Sequence, residues 1–290
     1  KGKARRRHYG CQFRPLRRQV PRPGHRLVVT HPDSFMLLWT RDSLSNAFHS
    51  VGVTPGVVVS VHCSMSRLGY VIGGAETVVD ALLDAVGPDG TVVMQTHTSE
   101  NSDPAAWRNP PVPEAWWEAI RENTPAFRAD RTPSRKMGAV AEHLRTRSSA
   151  FRSQHPSDSC VALGALAETI TRDHRLTPSL GAGSPLDRLV EHDAQVLLLG
   201  VDHGNNTLLH YAEHLAEWPD KRQGRFGSAM LVEGKREWVW RHDLVHDDQD
   251  FTEVGEAFAA TGAERTVGTL RCCNGRALVS FAAQWFSKHR

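Results

Sequence analysis

The sequence predicts an α/β fold: a three-layer sandwich around a mostly parallel central sheet, a single domain with an inserted segment and a small antiparallel hairpin region. Three observations carry this expectation. Val57-Val58-Val59-Ser60-Val61 is a β-branched run of the kind found in strands buried on both faces. From Ala75 to Leu83 the apolar residues recur at helical spacing, and Gly87-Pro88-Asp89-Gly90 stops that helix before a second strand-like run, Thr91-Val92-Val93-Met94-Gln95. Strand, helix and strand within about forty residues form a βαβ unit, whose crossover requires parallel strands.

The remaining elements follow in chain order. Residues 1–35 alternate Arg, Pro and Gly without an apolar period, so they read as a flexible basic leader, and residues 36–290 as the folded domain. From about Met36 a helical pattern runs through Leu44, Ala47 and Phe48 to the turn Thr54-Pro55-Gly56. Residues from about 96 to 135 are irregular and rich in Pro and Trp (Trp107, Trp116, Trp117), and a loop that long inside a compact domain usually covers a site, which makes it a substrate-side insertion. Val196-Leu197-Leu198-Leu199-Gly200-Val201 is a third strand, followed by a helix that starts near Asn206. Gly227 to Trp240 alternates apolar and polar residues around Glu233-Gly234, a hairpin pattern. Ligand loops are expected at the carboxyl ends of the parallel strands.

Composition narrows the function. The 290 residues, 40% hydrophobic and 23% charged, suit a globular domain, and no stretch approaches the roughly 20 apolar residues of a membrane helix. Of the 35 Lys and Arg, ten lie in residues 1–31, which hold no acid, so over the rest 25 bases meet 32 Asp and Glu, a net of −7. An acidic body favours polycationic partners and disfavours nucleic acid. The leader lacks the apolar segment of a secretory signal, and Cys11, Cys63, Cys160, Cys272 and Cys273 form no C-x-x-C pair, so the expectation is a cytoplasmic protein with reduced thiols.

Three constellations carry possible chemistry. The loop Val61–Gly74 (VHCSMSRLGYVIGG) follows a buried strand and opens a helix, which presents backbone N–H groups to an anion such as a phosphate, or serves only as a tight strand-to-helix turn. Phe151–Pro156 (FRSQHP) sets Arg152, Ser153 and His155 on an irregular segment, where Arg is a good phosphate donor and a plain surface cap is the alternative. Val196–Glu217 is the most informative: His210 and Glu213 stand three apart on one helix face, one turn inside its start, so the acid can hold the imidazole neutral in one tautomer, ready to accept a proton. A helical His can equally be a satisfied core or surface group. Farther on, Arg241–Asp250 groups acids and histidines in one loop.

Taken together, VHCSMSRLGYVIGGAETVVDALLDAVGPDGT, RSQHP, GSPLDRLVEHDAQVLLLGV and TLLHYAEHLAE, in that order, resemble the aminoglycoside 3-N-acetyltransferase family, also called the antibiotic N-acetyltransferases, from about Thr40 to the C-terminus. The resemblance implies acetyl-CoA-dependent N-acetylation of the 3-amino group of aminoglycosides, conferring resistance. It implies an acetyl-CoA site lined by His62, Ser64, Met65, Ser66, Gly69, Gly73, Gly74, Arg152, Ser153 and His155. His210 would be the catalytic base, with Glu213 as companion acid and Asp247, or its neighbour Asp248, as the carboxylate that orients it. Where many members carry Thr-Trp-Asp, this chain has Gln95-Thr96-His97-Thr98, so the acidic substrate contact passes to Glu100 or Asp103, with Asp247 and Asp248 also facing the sugar's ammonium groups. The expected partner is a polycationic aminoglycoside, with no nucleic acid, no membrane and no metal, and with a monomer or homodimer as the working form. Two alternatives remain: an acyltransferase for another amine in biosynthesis, and a metal-dependent hydrolase using His203, His210, His242 or His246, whose spacing matches no zinc motif.

Overall fold

The structure, a computed structural model, describes residues 28–31 and 34–290. The expectation of a flexible leader falls mainly on residues outside this part. The described chain enters through β1 (Val28–His31), which pairs antiparallel with β2 (Ser34–Trp39). Helix α1 runs Arg41–Val51, so the helical expectation from Met36 is corrected: residues up to Trp39 are strand. The apolar run before Thr40 fits either period, and the boundary is decided by a capping box, in which the Ser43 N–H donates to Thr40 Oγ1 (3.2 Å) and the Thr40 N–H donates to Ser43 Oγ (2.9 Å).

Next come β3 (Val58–Cys63), the short helix α2 (Met65–Leu68), β4 (Tyr70–Val71), α3 (Gly74–Val86) and β5 (Thr91–Gln95), the βαβ unit read from the sequence. β4 adds parallel to β2, making a small sheet with β1. The insertion carries α4 (Trp117–Asn123) between stretches of turn and 3-10 helix, and α5 (Gly138–Arg145) follows it. Then come β6 (Phe151–Arg152), β7 (Cys160–Gly164), α6 (Ala167–Thr171), α7 (Pro185–Glu191), β8 (Gln195–Leu199) and α8 (Leu208–Leu215). A hairpin of β9 (Gln223–Val232) and β10 (Lys235–Leu244), then α9 (Phe251–Ala259), β11 (Glu264–Val267), β12 (Leu270–Asn274) and α10 (Gly275–His289), complete the chain.

The central sheet has seven strands in the order β11-β12-β8-β3-β5-β7-β6. β8, β3 and β5 are parallel and the outer pairings are antiparallel, so five of the seven strands run one way although only two of the six ladders are parallel. The central strands alternate between two cores, as a two-residue period requires. Val59, Val61, Val92, Met94, Leu197 and Leu199 pack with α1, α3 and α5, whereas Val58, Val93, Val196 and Leu198 pack with α7, α8, α9 and α10. Each such side chain, fully buried, contributes about 1.5–3 kcal/mol. The carboxyl ends of β3, β5 and β8 therefore open side by side at one end of a rigid sheet.

The β9–β10 hairpin turns through Glu233 (φ 50°) and Gly234 (φ 78°), the pair of positive dihedrals that a two-residue turn needs. Asn101, in the insertion, joins the hairpin as a strand edge would: its Nδ2 donates to the Ala229 carbonyl (2.9 Å) and its Oδ1 accepts from the Ala229 N–H (2.8 Å). The insertion is thus held over the end of the sheet. Among the described residues no helix is long and apolar enough to cross a membrane.

Candidate active site

β8 ends at Gly200, whose φ of 67° and close approach, with a Cβ meeting the Arg67–Leu68 backbone at 2.9 Å, admit only glycine. The turn that follows is pinned at each step. Asp202 accepts from the Gly204 N–H (3.0 Å), His203 Nε2–H donates to Glu264 (2.6 Å), and Asn206 accepts from the Leu208 N–H (3.1 Å) while donating to His203 Nδ1 (3.1 Å). These contacts fix the start of α8 and present His210 on its first turn.

The His210 Nδ1–H donates to Glu213 Oε2 at 2.5 Å. The Glu213 side chain is 0% exposed, and its Oε1 accepts from Arg290 Nη1 (2.6 Å) and the Asp247 N–H (3.0 Å). Burial acts to raise the Glu213 carboxyl, but the bonds from His210, Arg290 and Asp247 outweigh it and hold the group below the usual range. Glu213 is therefore an anion at neutral pH that accepts from Nδ1–H, and the His210 Nε2 has no hydrogen-bond partner among the described residues. His246 and Phe251 pack on the imidazole at centroid distances of 4.7 and 4.8 Å. Burial pushes His246 down to about 4, so it is neutral, and its Nε2 shares a hydrogen bond with His214 (3.0 Å).

Two cavities are lined by neighbours of His210. The first, about 630 Å³, is walled by His62, Ser64, Met65, Ser66, Met137 and Thr207, the last on the same helix turn as His210. His62 Nε2 and Gln95 Nε2, both on this wall, are buried with no partner among the described residues, and burial drives His62 to about 3, hence neutral. A buried polar atom left unpaired costs about 1–3 kcal/mol, so this wall suits a ligand with its own polar groups. The second cavity, about 300 Å³, is walled by His97, Asp103, Asp158, Arg241 and His246, whose ring touches His210.

Against the sequence expectations, His210 and Glu213 come together, and His62, Ser64, Met65 and Ser66 share one cavity wall. The other expected cofactor positions lie elsewhere. Gly69, Gly73 and Gly74 lie off that wall. Gly69, at φ 115°, would put a Cβ 2.6 Å from the Leu37 carbonyl, and Gly73, at φ 81°, caps α3, so both answer backbone demands. Arg152, Ser153 and His155 are hydrogen-bonded to neighbouring segments. Arg152 donates to the Thr96 carbonyl (2.7 Å), the Ser159 hydroxyl (3.0 Å) and the Thr132 carbonyl, and lies over the Phe127 ring. Buried Ser153 accepts from the Cys160 N–H (3.0 Å). His155 Nδ1 accepts from the Asp158 N–H (2.8 Å) while Nε2–H donates to the Leu176 carbonyl (3.2 Å), so both ring nitrogens are engaged.

The acid bonded to His210 is Glu213: the loop after β10 brings the Asp247 N–H to Glu213, while the Asp247 carboxylate accepts from the Gln249 N–H (3.1 Å). Asp248 is exposed nearby. Glu100 is exposed and paired with Arg135 (3.1 Å), and Asp103, though on the second cavity, is held by Arg121 (2.8 Å). Sequence reading missed Asp158, which stands two residues past the RSQHP block, His97, noticed only as a departure, and Arg290, which nothing local connects to Glu213. Two groups, His210–Glu213–His246 and His203–Glu264–Cys273, bring metal-capable atoms within 4.8 Å, but in each the His and carboxylate are already hydrogen-bonded and an arginine (Arg290, Arg271) lies on the carboxylate.

Comparison with known proteins gives the chain's family. The sequence signature of the aminoglycoside 3-N-acetyltransferase family matches residues 61–287. The chain is 40% identical over 253 residues to the SPbeta prophage-derived aminoglycoside N(3')-acetyltransferase-like protein YokD of Bacillus subtilis, covering 85% of this chain and 92% of YokD. The crystal structure of YokD superposes with a TM-score of 0.83 over 86% of this chain and 94% of its own, at 38% identity. Aminoglycoside N(3)-acetyltransferase VIII of Streptomyces fradiae is 41% identical over 271 residues, 85% of this chain and 91% of the relative. The structure of AAC-IIIb in binary complex with CoASH matches with a TM-score of 0.78 and 32% identity over 87% of this chain and 97% of that one. The chain therefore belongs to the aminoglycoside 3-N-acetyltransferase family, a family of acyltransferases.

Proposed function

We propose that this chain transfers an acetyl group from acetyl-CoA directly to the 3-amino group of aminoglycoside antibiotics, and so confers resistance, with His210 as general base. The observation that carries the proposal is one imidazole tied through Nδ1 to a buried carboxylate, its Nε2 without a hydrogen bond among the described residues, with Thr207 on one cavity wall and His246 on another as its neighbours. The CoASH-bound relative supports acetyl-CoA as the donor, and the relatives' names support the acceptor. His62, Ser64, Met65 and Ser66 would hold the donor, which supplies a thioester, an acyl group activated by a good leaving thiolate.

The chain's own residues do the rest. Glu213 sets the tautomer and balances the imidazolium that forms when Nε2 takes the proton of the attacking amine. Arg290 and the Asp247 N–H keep Glu213 ionised, so the proton stays on the ring. His246 and Phe251 shield the imidazole from water on its flank. The enzyme works without a metal in the cytoplasm, where acetyl-CoA and thiols such as its free Cys63, Cys160, Cys272 and Cys273 persist, as a monomer or homodimer.

The test is product analysis: acetyl-CoA is incubated with gentamicin and with sisomicin, CoA release is followed, and the acetylated nitrogen is located by NMR. His210→Ala is expected to lower turnover by about two to four powers of ten, the size of general-base catalysis, while CoA still binds. Release of CoA only with other amines would overturn the acceptor and leave acyl transfer standing. A His210→Ala enzyme turning over at the wild-type rate would remove the base.

A further inference from the structure

The second cavity holds an anion that the mechanism does not use. Thr96 and Thr98 at the end of β5 donate their N–H groups to the Ser159 (2.8 Å) and Ser157 (2.9 Å) carbonyls, a short ladder that fixes Asp158 between them. The Asp158 side chain is 23% exposed and lies on the cavity wall beside His97 and His246. Its contacts converge on one oxygen: Oδ2 accepts from the Ser157 hydroxyl (2.9 Å) and lies 3.7 Å from Arg241 Nη2. Oδ1 makes no hydrogen bond among the described residues. His155, 3.6 Å from Oδ2, is no counter-ion, because its Nδ1 accepts backbone N–H groups and its Nε2–H serves the Leu176 carbonyl.

The surrounding charges leave this carboxylate unbalanced. Buried Arg241 donates to the Ser157 (2.7 Å) and Ser228 (3.2 Å) hydroxyls and stands between Asp158 and Asp243, so one cation faces two anions. Asp243 is capped by the N–H groups of Ser179 (2.7 Å) and Leu244 (2.8 Å). His97 and His246 are both held neutral by burial. Arg225, also on the wall, lays its guanidinium over Trp240 at 3.9 Å, and Asp103 is taken by Arg121. Burial would raise the Asp158 carboxyl, but Arg241 and the Ser157 hydroxyl hold it below the usual range, so it is an anion at neutral pH. His97 Nε2, buried and without a partner among the described residues, adds a second polar contact on the same wall.

We infer that Asp158 is the carboxylate that receives an ammonium group of the acceptor other than the amine presented to His210, and that it thereby selects for polycationic acceptors. The inference rests on the aminoglycoside reading above and deepens it. Asp158 Oδ1 offers a charge-assisted hydrogen bond in a partly enclosed cavity, and His246, on that cavity's wall, touches the base. A cation bound there brings a neighbouring amine of the same molecule toward His210.

The experiment measures gentamicin and CoA affinity by calorimetry, independently of turnover, for the wild type and Asp158→Asn. The expected result is a gentamicin Kd raised about 10- to 100-fold, the size of one charge-assisted bond, with a shallower salt dependence and an unchanged CoA Kd. Should Asp158→Asn unfold, Asp158→Ser, which leaves Arg241 its two serine partners, takes its place with the same expectation. An unchanged gentamicin Kd and salt slope would overturn the inference, as would parallel loss of both affinities in a folded variant. If the wild type binds gentamicin through Asp158 but never acetylates it, the functional reading fails and the role of Asp158 stands.

Discussion

Replacing Glu213 by Gln tests the link on which the catalytic argument depends. The substitution keeps the shape, and the amide oxygen can still accept from Arg290 and the Asp247 N–H, but the charge opposite His210 is gone. The bond it weakens is 2.5 Å long, to a carboxylate with 0% exposure. A charge-assisted bond of this kind contributes about 1.5–3 kcal/mol, and at about 1.4 kcal/mol per tenfold its loss as the imidazolium forms slows turnover about 10- to 150-fold. The amide can also donate to Nδ1 and favour the tautomer protonated on Nε2, which cannot accept the proton. In serine-hydrolase triads the corresponding carboxylate-to-amide change costs about 10⁴ in kcat, so the expected loss here is about 10² to 10⁴. The assay follows CoA release at saturating acetyl-CoA and gentamicin, with the thermal midpoint and the CoA Kd as controls for folding. A folded Glu213→Gln enzyme with kcat within about fivefold of wild type would refute the reasoning.

Two further outcomes follow from burial and backbone geometry. His62 and His174 are pushed to about 3 and His246 to about 4, chiefly by burial, so in the folded state they stay neutral where the unfolded chain takes up protons below pH about 6.5. Stability is then lost as pH falls from about 6.5 toward 4, by up to about 1.4 kcal/mol per pH unit for each histidine, whereas depressed carboxylates such as Glu142 cost stability only below their unfolded range near 4.5. Urea midpoints from pH 7.5 to 5 read this directly, and a flat profile would contradict it. Gly69→Ala, forced to φ 115° with its Cβ 2.6 Å from a carbonyl oxygen, is expected to destabilise by about 2–4 kcal/mol in the same titration, and a neutral effect would show that the α2–β4 turn relaxes freely.

Several features were legible because they are local. The β-branched runs at Val57–Val61 and Thr91–Gln95 declare strands buried on both faces, and they sit side by side at the sheet's centre. The His210–Glu213 pair could be seen three residues apart because helix geometry alone brings such positions together. Local patterns also misled. The stretch from Met36 to Trp39 reads as the start of a helix until the capping box at Thr40 intervenes. Acids near a proposed substrate look available in one dimension, yet Glu100 and Asp103 are each engaged by an arginine, Arg135 and Arg121.

The sequence by itself determined the α/β class, the parallel centre, the hairpin at Glu233-Gly234 and the helical His–Glu pair, since each depends on periods and turns spanning a few residues. Only the tertiary structure decided that Arg290, 77 positions from Glu213, keeps that carboxylate ionised, that the Asp247 N–H meets it, and that Asp158 faces a cavity beside His246. The reason is physical. Charges and hydrogen bonds act through space over a few ångströms, and which of many possible partners a polar group meets is settled by the packing of distant segments, which no local period records.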